Sequence, residues 1–291
     1  MPSSQWIGNA LRRYALAFAI LPVLASVAPH AQGQTFSALY SFQGSKDGWN
    51  LIAGVVRDSA GNLYGATQNG GYLGCALGCG TVFKLDATGK EVVLYAFGGG
   101  VDGRFPAAAV IRDAAGNLFS TTLSGGAFGG GTAFKVDSAG NQTVLHSFGS
   151  GTDGGGLFAG LTPVGATFYG TTVGGGAHGF GTVFELDKSG QETVVYSFKG
   201  GADGDGPFAG VISDRAGNFY GTTDSGGTTS YGTVFKLDSS GNETVLHTFT
   251  GVADGAYPYG GVIRDSAGNL YGTTYGAEPH HGFGNVFKIA P

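Results

Sequence analysis

Five Asp-Gly pairs recur along the chain, at Asp47, Asp102, Asp153, Asp203 and Asp254. Carboxylates repeated in this way suit two jobs. Gathered around a common centre, they could take Ca²⁺ or accept hydrogen bonds from a polyol. Alternatively, each organises its own turn by accepting nearby backbone N–H groups, which identical repetition favours. Only Asp203-Gly204-Asp205-Gly206 offers two carboxylates, too few for a self-contained Ca²⁺ loop of the EF-hand kind. A second set is aromatic: Tyr72, Phe128, Phe180, Tyr231 and Phe283 each lie in a Gly-rich stretch that varies between copies. Rings there could stack on sugars or anchor a partner protein, or they could wedge between packed elements. His178, His280 and His281 share those stretches. Glu278 stands beside the last two, but no further ligand is placed and no HExxH spacing exists, so no metal site is expected. His146 and His247 take the place that Tyr40, Tyr95 and Tyr196 fill in other copies, which reads as structural substitution.

Cys75 and Cys79 are the only cysteines and share one inserted loop. A disulfide that closes this loop is expected in an exported chain; a metal or redox pair is the alternative, but the spacing is C-x₃-C rather than C-x-x-C. The chain has no G-x-S-x-G elbow, no P-loop and no carboxylate pair that stands out from the repeat, so no catalytic residue is assigned.

These residues are carried by a repeat of about fifty residues, the longest self-similar period in the chain. Tyr64, Phe119, Tyr169, Tyr220 and Tyr271 are equivalent, at spacings of 55, 50, 51 and 51 residues. Each copy holds four short apolar or β-branched runs, in the fourth copy residues 209–213, 218–223, 233–237 and 244–249. Turns of the type Asp214-Arg215-Ala216-Gly217-Asn218 separate them and supply Gly where a short hairpin needs positive φ. Four-stranded antiparallel units repeated radially make a β-propeller. The fold expected is therefore all-β: one five-bladed propeller over residues 32–291, with blades at 52–97, 107–148, 157–198, 207–249 and 258–290. The last copy has three strands only, and residues 36–42 (FSALYSF) match the fourth strands of the others, so the N-terminal strand is expected to close the ring by completing the last blade. A β-solenoid is the alternative, though its coils are shorter than this repeat. Short uniform hairpins would lie on one face; the links and the variable loops would form the working face.

Gly supplies 58 of 291 residues, yet 21 Phe, 13 Tyr and a hydrophobic share of 42% are too much apolar surface for a solvated chain. A net charge of −5 with no basic run in the mature part argues against nucleic acid or an anionic membrane as partner. Arg12 and Arg13 precede an apolar run over residues 14–28, interrupted by Pro22, and small residues follow. This is the anatomy of a signal peptide, residues 1–31 at most, cut after Ala28 or Ala31. The run is too short for a membrane span. The chain stops at Pro291 without a sorting tail, so a free or periplasmic protein, monomeric, is expected.

Residues 232–238 (GTVFKLD), 240–249 (SGNETVLHTF), the pair Asp254-Gly255 and residues 261–274 (GVIRDSAGNLYGTT) resemble the GloVer, or Gloeobacter/Verrucomicrobia-type, tandem repeat. The resemblance spans all five copies, about residues 36–291. It implies an exported bacterial protein, commonly with a C-terminal surface-sorting signal, and no established biochemical activity. The function expected is a binding module for carbohydrate or another cell-envelope polymer or protein, without an obligatory cofactor. A polysaccharide lyase or hydrolase and a purely structural surface protein are the alternatives.

Overall fold

A computed structural model describes residues 35–71, 74–149, 151–277 and 282–291. The expected leader, Tyr72, Glu278, His280 and His281 lie outside the described residues. Local turn chemistry sets the strands. In the first hairpin Asp58 accepts the backbone N–H of Asn62 at 2.9 Å, its side-chain amide at 2.8 Å and the Tyr64 hydroxyl at 3.0 Å. The same set recurs at Asp214 with Asn218 and Tyr220, and at Asp265 with Asn269 and Tyr271. One carboxylate thus closes the turn and ties it to the next strand, which explains the spacing of Asp, Asn and Tyr in the repeat.

Five antiparallel sheets result. The first holds β1 (Val56–Arg57), β2 (Leu63–Thr67), β3 (Thr81–Leu85) and β4 (Glu91–Ala96). The second holds β5 (Ile111–Arg112), β6 (Leu118–Thr122), β7 (Thr132–Val136) and β8 (Gln142–Ser147). In the third are β9 (Thr162–Val164), β10 (Thr167–Thr172), β11 (Thr182–Leu186) and β12 (Glu192–Ser197). The fourth contains β13 (Ile212–Ser213), β14 (Phe219–Thr223), β15 (Thr233–Leu237) and β16 (Glu243–Thr248). The fifth has three strands, β17 (Ile263–Arg264), β18 (Leu270–Thr273) and β21 (Val286–Ile289), with a two-stranded ribbon of β19 (Gly276–Ala277) and β20 (Gly282–Phe283) between the last two. In each sheet the spatial order follows the chain. A single 3-10 turn, Gly201–Asp203, is the only helical element among the described residues.

The second, third and fourth sheets are apolar on both faces because each packs between two neighbours, which accounts for the weak alternation of their strands. Four buried clusters join consecutive sheets: Phe97 of the first with Phe134 of the second, Phe148 with Phe184, Phe198 with Phe235, and Phe249 with Phe287. The rings meet edge-on or tilted, with centroids 4.8–5.2 Å apart. A register shift just before Phe83, Phe134, Phe184 and Phe235 marks a bulge in each four-stranded sheet. The strand paired with that Phe carries Gly at Gly65, Gly170 and Gly221; a Cβ on Gly221 would lie 2.6 Å from Phe235 Cζ, so the ring sits where a side chain would be. Gly221→Val is therefore expected to overpack the site and lower unfolding free energy in urea by about 1–3 kcal/mol. The buried Thr pairs of the repeat meet hydroxyl to hydroxyl, Thr122 with Thr132 at 2.9 Å and Thr223 with Thr233 at 2.8 Å, so neither is left unsatisfied.

The two ends differ from the middle. Val55 is 47% exposed, while its counterparts Val110, Leu161, Val211 and Val262 are buried. Val286 is 82% exposed, while Val82, Ala133, Val183 and Val234 are sealed. Residues 36–42 form no strand ladder, so the expected fourth strand of the last sheet is not formed in this structure. The reason lies in what residues 39–42 already touch. Phe42 packs edge-on against Phe83 at 5.0 Å, as Phe97 packs on Phe134, and the Tyr40 hydroxyl bonds Asp47 as Tyr95 bonds Asp102. The segment has taken the fourth-strand position toward the first sheet without pairing with β21.

Candidate functional site

Each link between sheets is built by its Asp. Asp102 accepts the Tyr95 hydroxyl at 2.9 Å and the Gly98 N–H at 2.6 Å; Asp203 accepts Tyr196 and the Lys199 N–H, both at 2.6 Å; Asp47 accepts Tyr40 and the Gln43 N–H. In two copies histidine replaces the phenol: His146 Nε2 stands 3.3 Å from Asp153 and His247 Nε2 3.1 Å from Asp254. Four link carboxylates thus hold the end of an outer strand to the turn that leaves it, and Asp47 does the same for residues 40–43, which form no strand. Carboxylates of the following sheet face three of them. Burial, reinforced by the charge of Asp153, pushes Glu192 up to about 7. Burial and Asp203 push Glu243 to about 7, against the pull of Lys199. Glu91 is raised in the same sense by burial and by Asp47. One oxygen of each Glu is buried without a hydrogen-bond partner.

The variable loops meet the links. Backbone bridges join Trp49 to Asn69, Arg104 to Ser124, Gly155 to Gly174, Asp205 to Ser225 and Ala256 to Gly276, so links and loops occupy one side of each sheet. Tyr231 and Phe180 lie over Gly251 and Gly200, and Phe128 over Gly149; the disulfide between Cys75 and Cys79 covers Gly99 in the same manner. Phe283 is 96% exposed and His178 stands exposed in its loop. Among the described residues no group of three His, Cys, Asp or Glu could hold a metal ion. No helix among them is long and apolar enough to cross a membrane.

A further feature emerges only once the sheets are in place. Phe158, Phe208, Tyr259 and Tyr275 form a row across the third, fourth and fifth sheets, with successive ring centroids 4.8, 5.2 and 5.5 Å apart. Tyr275 is 76% exposed, and Phe158 and Tyr259 are each open to solvent on one side. Asp205 and Asp224 flank the row. Gly206, at φ 66°, leaves the space that the Asp224 carboxylate occupies, and a Cβ there would also lie 3.6 Å from the Phe208 ring. Burial pushes Asp224 up to about 6; the charge of Asp205 adds to this and bonds from Ser225 oppose it. Asp205 is itself raised by burial, and Tyr259 by burial and by the Asp224 charge.

The sequence carries a signal for this row, visible when copies are aligned at their links. Ile52, Ala107, Phe158, Phe208 and Tyr259 are equivalent, as are Trp49, Arg104, Gly155, Asp205 and Ala256, and Gln68, Leu123, Val173, Asp224 and Tyr275. The carboxylates are thus single-copy residues on an otherwise repeated scaffold, and the aromatic run occupies three consecutive copies.

The family defined as the Gloeobacter/Verrucomicrobia repeat matches residues 23–172 and 164–291. No curated protein matches the sequence. Among solved structures, the extracellular domain of a one-component system of B. thetaiotaomicron is similar in fold, with a TM-score of 0.55 and 10% identity; the match covers 83% of this chain and 26% of that one. The extracellular domain of a hybrid two-component system of the same organism matches at a TM-score of 0.50 and 10% identity, over 76% of this chain and 25% of that one. The chain therefore spans about a quarter of each of these proteins, and the likeness is one of fold.

Proposed function

Because the chain belongs to the Gloeobacter/Verrucomicrobia repeat family, we propose that it is an exported, monomeric binding module, a five-bladed propeller that holds a carbohydrate of the cell envelope on the row Phe158, Phe208, Tyr259 and Tyr275. The row is the observation that carries this assignment. Phe158, Tyr259 and Tyr275 each present an exposed apolar ring on which a sugar ring can pack, with Phe208 half-buried among them and neighbouring rings set edge-on or tilted, and flanking carboxylates accept hydrogen bonds from hydroxyls. The scaffold beneath is repeated and rigid, which suits a site that must not pay for ordering when it binds. The apolar run over residues 14–28, preceded by two Arg, supports export.

Ring closure is part of this proposal, and unmatched halves at the two ends support it. Phe283 is exposed and Gly44 has open space above it, whereas Phe180 and Tyr231 lie over the equivalent Gly200 and Gly251. Thr121, Thr171 and Thr222 each donate to a carbonyl just before the next sheet's first strand, at Ala159, Ala209 and Gly260, while the equivalent Thr273 is exposed. Joining the fifth sheet to the first, with residues 36–42 as its fourth strand, would cover Val55 and Val286 together.

Binding of neutral oligosaccharides is expected to fall about tenfold or more in Phe208→Ala and Tyr259→Ala, measured by calorimetry with and without Ca²⁺, since each ring is worth on the order of 1–2 kcal/mol. Phe283→Ala should leave it unchanged. Equal binding by all variants would remove the row as the site. An extracellular hydrolase is the second reading, favoured by Asp224 at about 6 beside Asp205, a pair in which one carboxyl could serve as acid. Release of reducing ends by the wild type and not by Asp224→Asn would promote it. A lyase acting on uronates is disfavoured, because the same two carboxylates repel an anionic polymer.

A further inference from the structure

We propose that the aromatic row selects sugars that carry a free amino group, an N-deacetylated oligosaccharide with an ammonium held between Asp205, Asp224 and the faces of Phe208 and Tyr259. This rests on the carbohydrate assignment above and sharpens it to one class.

Three observations converge on a cation. The first is uncompensated charge. Asp205 and Asp224 interact with each other, yet among the described residues the ion pairs are His146 with Asp153 and His247 with Asp254, so neither carboxylate has a cationic partner. Two half-buried carboxylates that repel one another gain from any cation placed between them. The second is the aromatic setting. Phe208 lies beside the Asp224 carboxylate and Tyr259 within its electrostatic reach, and ring faces attract an ammonium that the carboxylates alone would only partly desolvate. The third is position. Asp205 and Asp224 occur in one copy of five, where the other copies place Trp, Arg, Gly or Ala, and Gln, Leu, Val or Tyr. Turn formation does not need these carboxylates, since the other links fold without them. A row of rings that runs from the acidic middle through Tyr259 to Tyr275 in one direction and to Phe158 in the other fits a chain of sugar rings with an amine at one of them better than it fits an isolated ammonium.

The test compares glucosamine oligomers, N-acetylglucosamine oligomers, galacturonate oligomers and a lysine oligopeptide of matched length, by calorimetry on the full mature chain at pH 7. The expected result is that the glucosamine oligomer binds about tenfold or more tighter than its acetylated form, and that Asp205→Asn/Asp224→Asn abolishes this preference while acetylated-oligomer binding persists. Equal affinity for the two forms, a preference that survives the double substitution, or tightest binding of the galacturonate would each overturn the inference and leave the carbohydrate site standing, provided that Phe208→Ala still weakens neutral binding. Failure of every sugar to bind would instead remove the carbohydrate assignment and this one with it. Binding of the lysine oligopeptide as tightly as the glucosamine oligomer would overturn the sugar as the selected class. Far-ultraviolet circular dichroism and melting temperature establish that the double variant is folded; if it is not, Asp224→Asn alone serves, with the same outcomes.

Discussion

A protein that lacks residues 35–42 is expected to aggregate, or to shift to a larger species than the full chain on size exclusion. Phe42 packs on Phe83 and Tyr40 bonds Asp47, so the deletion strips one face of the first sheet of its cover. Phe42 is half-buried, so its own loss falls below the ~3–5 kcal/mol of a fully buried Phe, but it also uncovers Phe83 in a domain whose total stability is about 5–15 kcal/mol. It also leaves β21 as a permanent open edge, with unpaired backbone groups beside Val286 and Phe287. A cross-link separates closure by the chain's own segment from closure by a second copy. In the four complete sheets the third-strand Thr faces Ala96, Ser147, Ser197 or Thr248 on the fourth strand; the same register would place Asn285 opposite Ser41. Ser41→Cys/Asn285→Cys should therefore oxidise to an intramolecular disulfide, found by peptide mapping in the monomer. A dimer linked through the same two residues would mean that strands are exchanged between copies, and two free thiols would mean that the ring stays open.

The repeat made most of this architecture legible, because one set of turn rules was written five times. Asp58, Asn62 and Tyr64 form a single hydrogen-bonded unit, and that unit shows in the sequence as a fixed spacing. The four strands of each complete sheet follow from the same counting; the fourth partner expected for the last copy is not formed in this structure. What the residues alone left open were properties of juxtaposition. Repetition favours the link Asp residues as turn builders, but it does not show their Tyr and His partners, seven residues away on the outer strand. Loop aromatics such as Phe180 and Tyr231 were conspicuous in sequence, yet they lie over link glycines. Phe208 and Tyr259 each follow a proline in a link, where the sequence gives no sign of stacking, and only the packing of consecutive sheets brings their rings together. A repeat also hides its exceptions: Asp205 and Asp224 stand nineteen residues apart, and a backbone bridge from Asp205 to Ser225 brings them together.

The second large effect expected is a stability maximum at mildly acid pH, set by carboxyls shifted in opposite directions. Asp58 is held down to about 2, chiefly by the Asn62 side chain; Asp214 reaches the same value because bonds from Asn218 and Tyr220 outweigh its burial. Their stabilisation is complete above the unfolded value of 3.8 and disappears as the pH falls from there toward 2. Glu192 and Glu243 act the other way. Both states are protonated below 4.5; between 4.5 and about 7 the unfolded chain ionises while the folded one keeps its protons, so stability falls with rising pH across that window and is level beyond it. Asp153 faces Glu192, while Asp203 and Lys199 face Glu243, so ionisation sets like charges together at two interfaces between consecutive sheets. Allowing for solvent screening of half-buried groups, each Glu should cost on the order of 1–2 kcal/mol at neutral pH. Thermal melts from pH 3 to 9 should therefore peak at about pH 4–5. Glu192→Gln/Glu243→Gln should flatten the limb above the peak and raise the melting temperature at pH 8, because an amide keeps the shape without the charge. A double variant that melts lower than wild type at pH 8, or with an unchanged slope above pH 5, would show that these two carboxyls do not carry the acid-side optimum. The same variant leaves the limb below pH 4 as it was, since Asp58 and Asp214 are untouched, and that limb serves as the internal control.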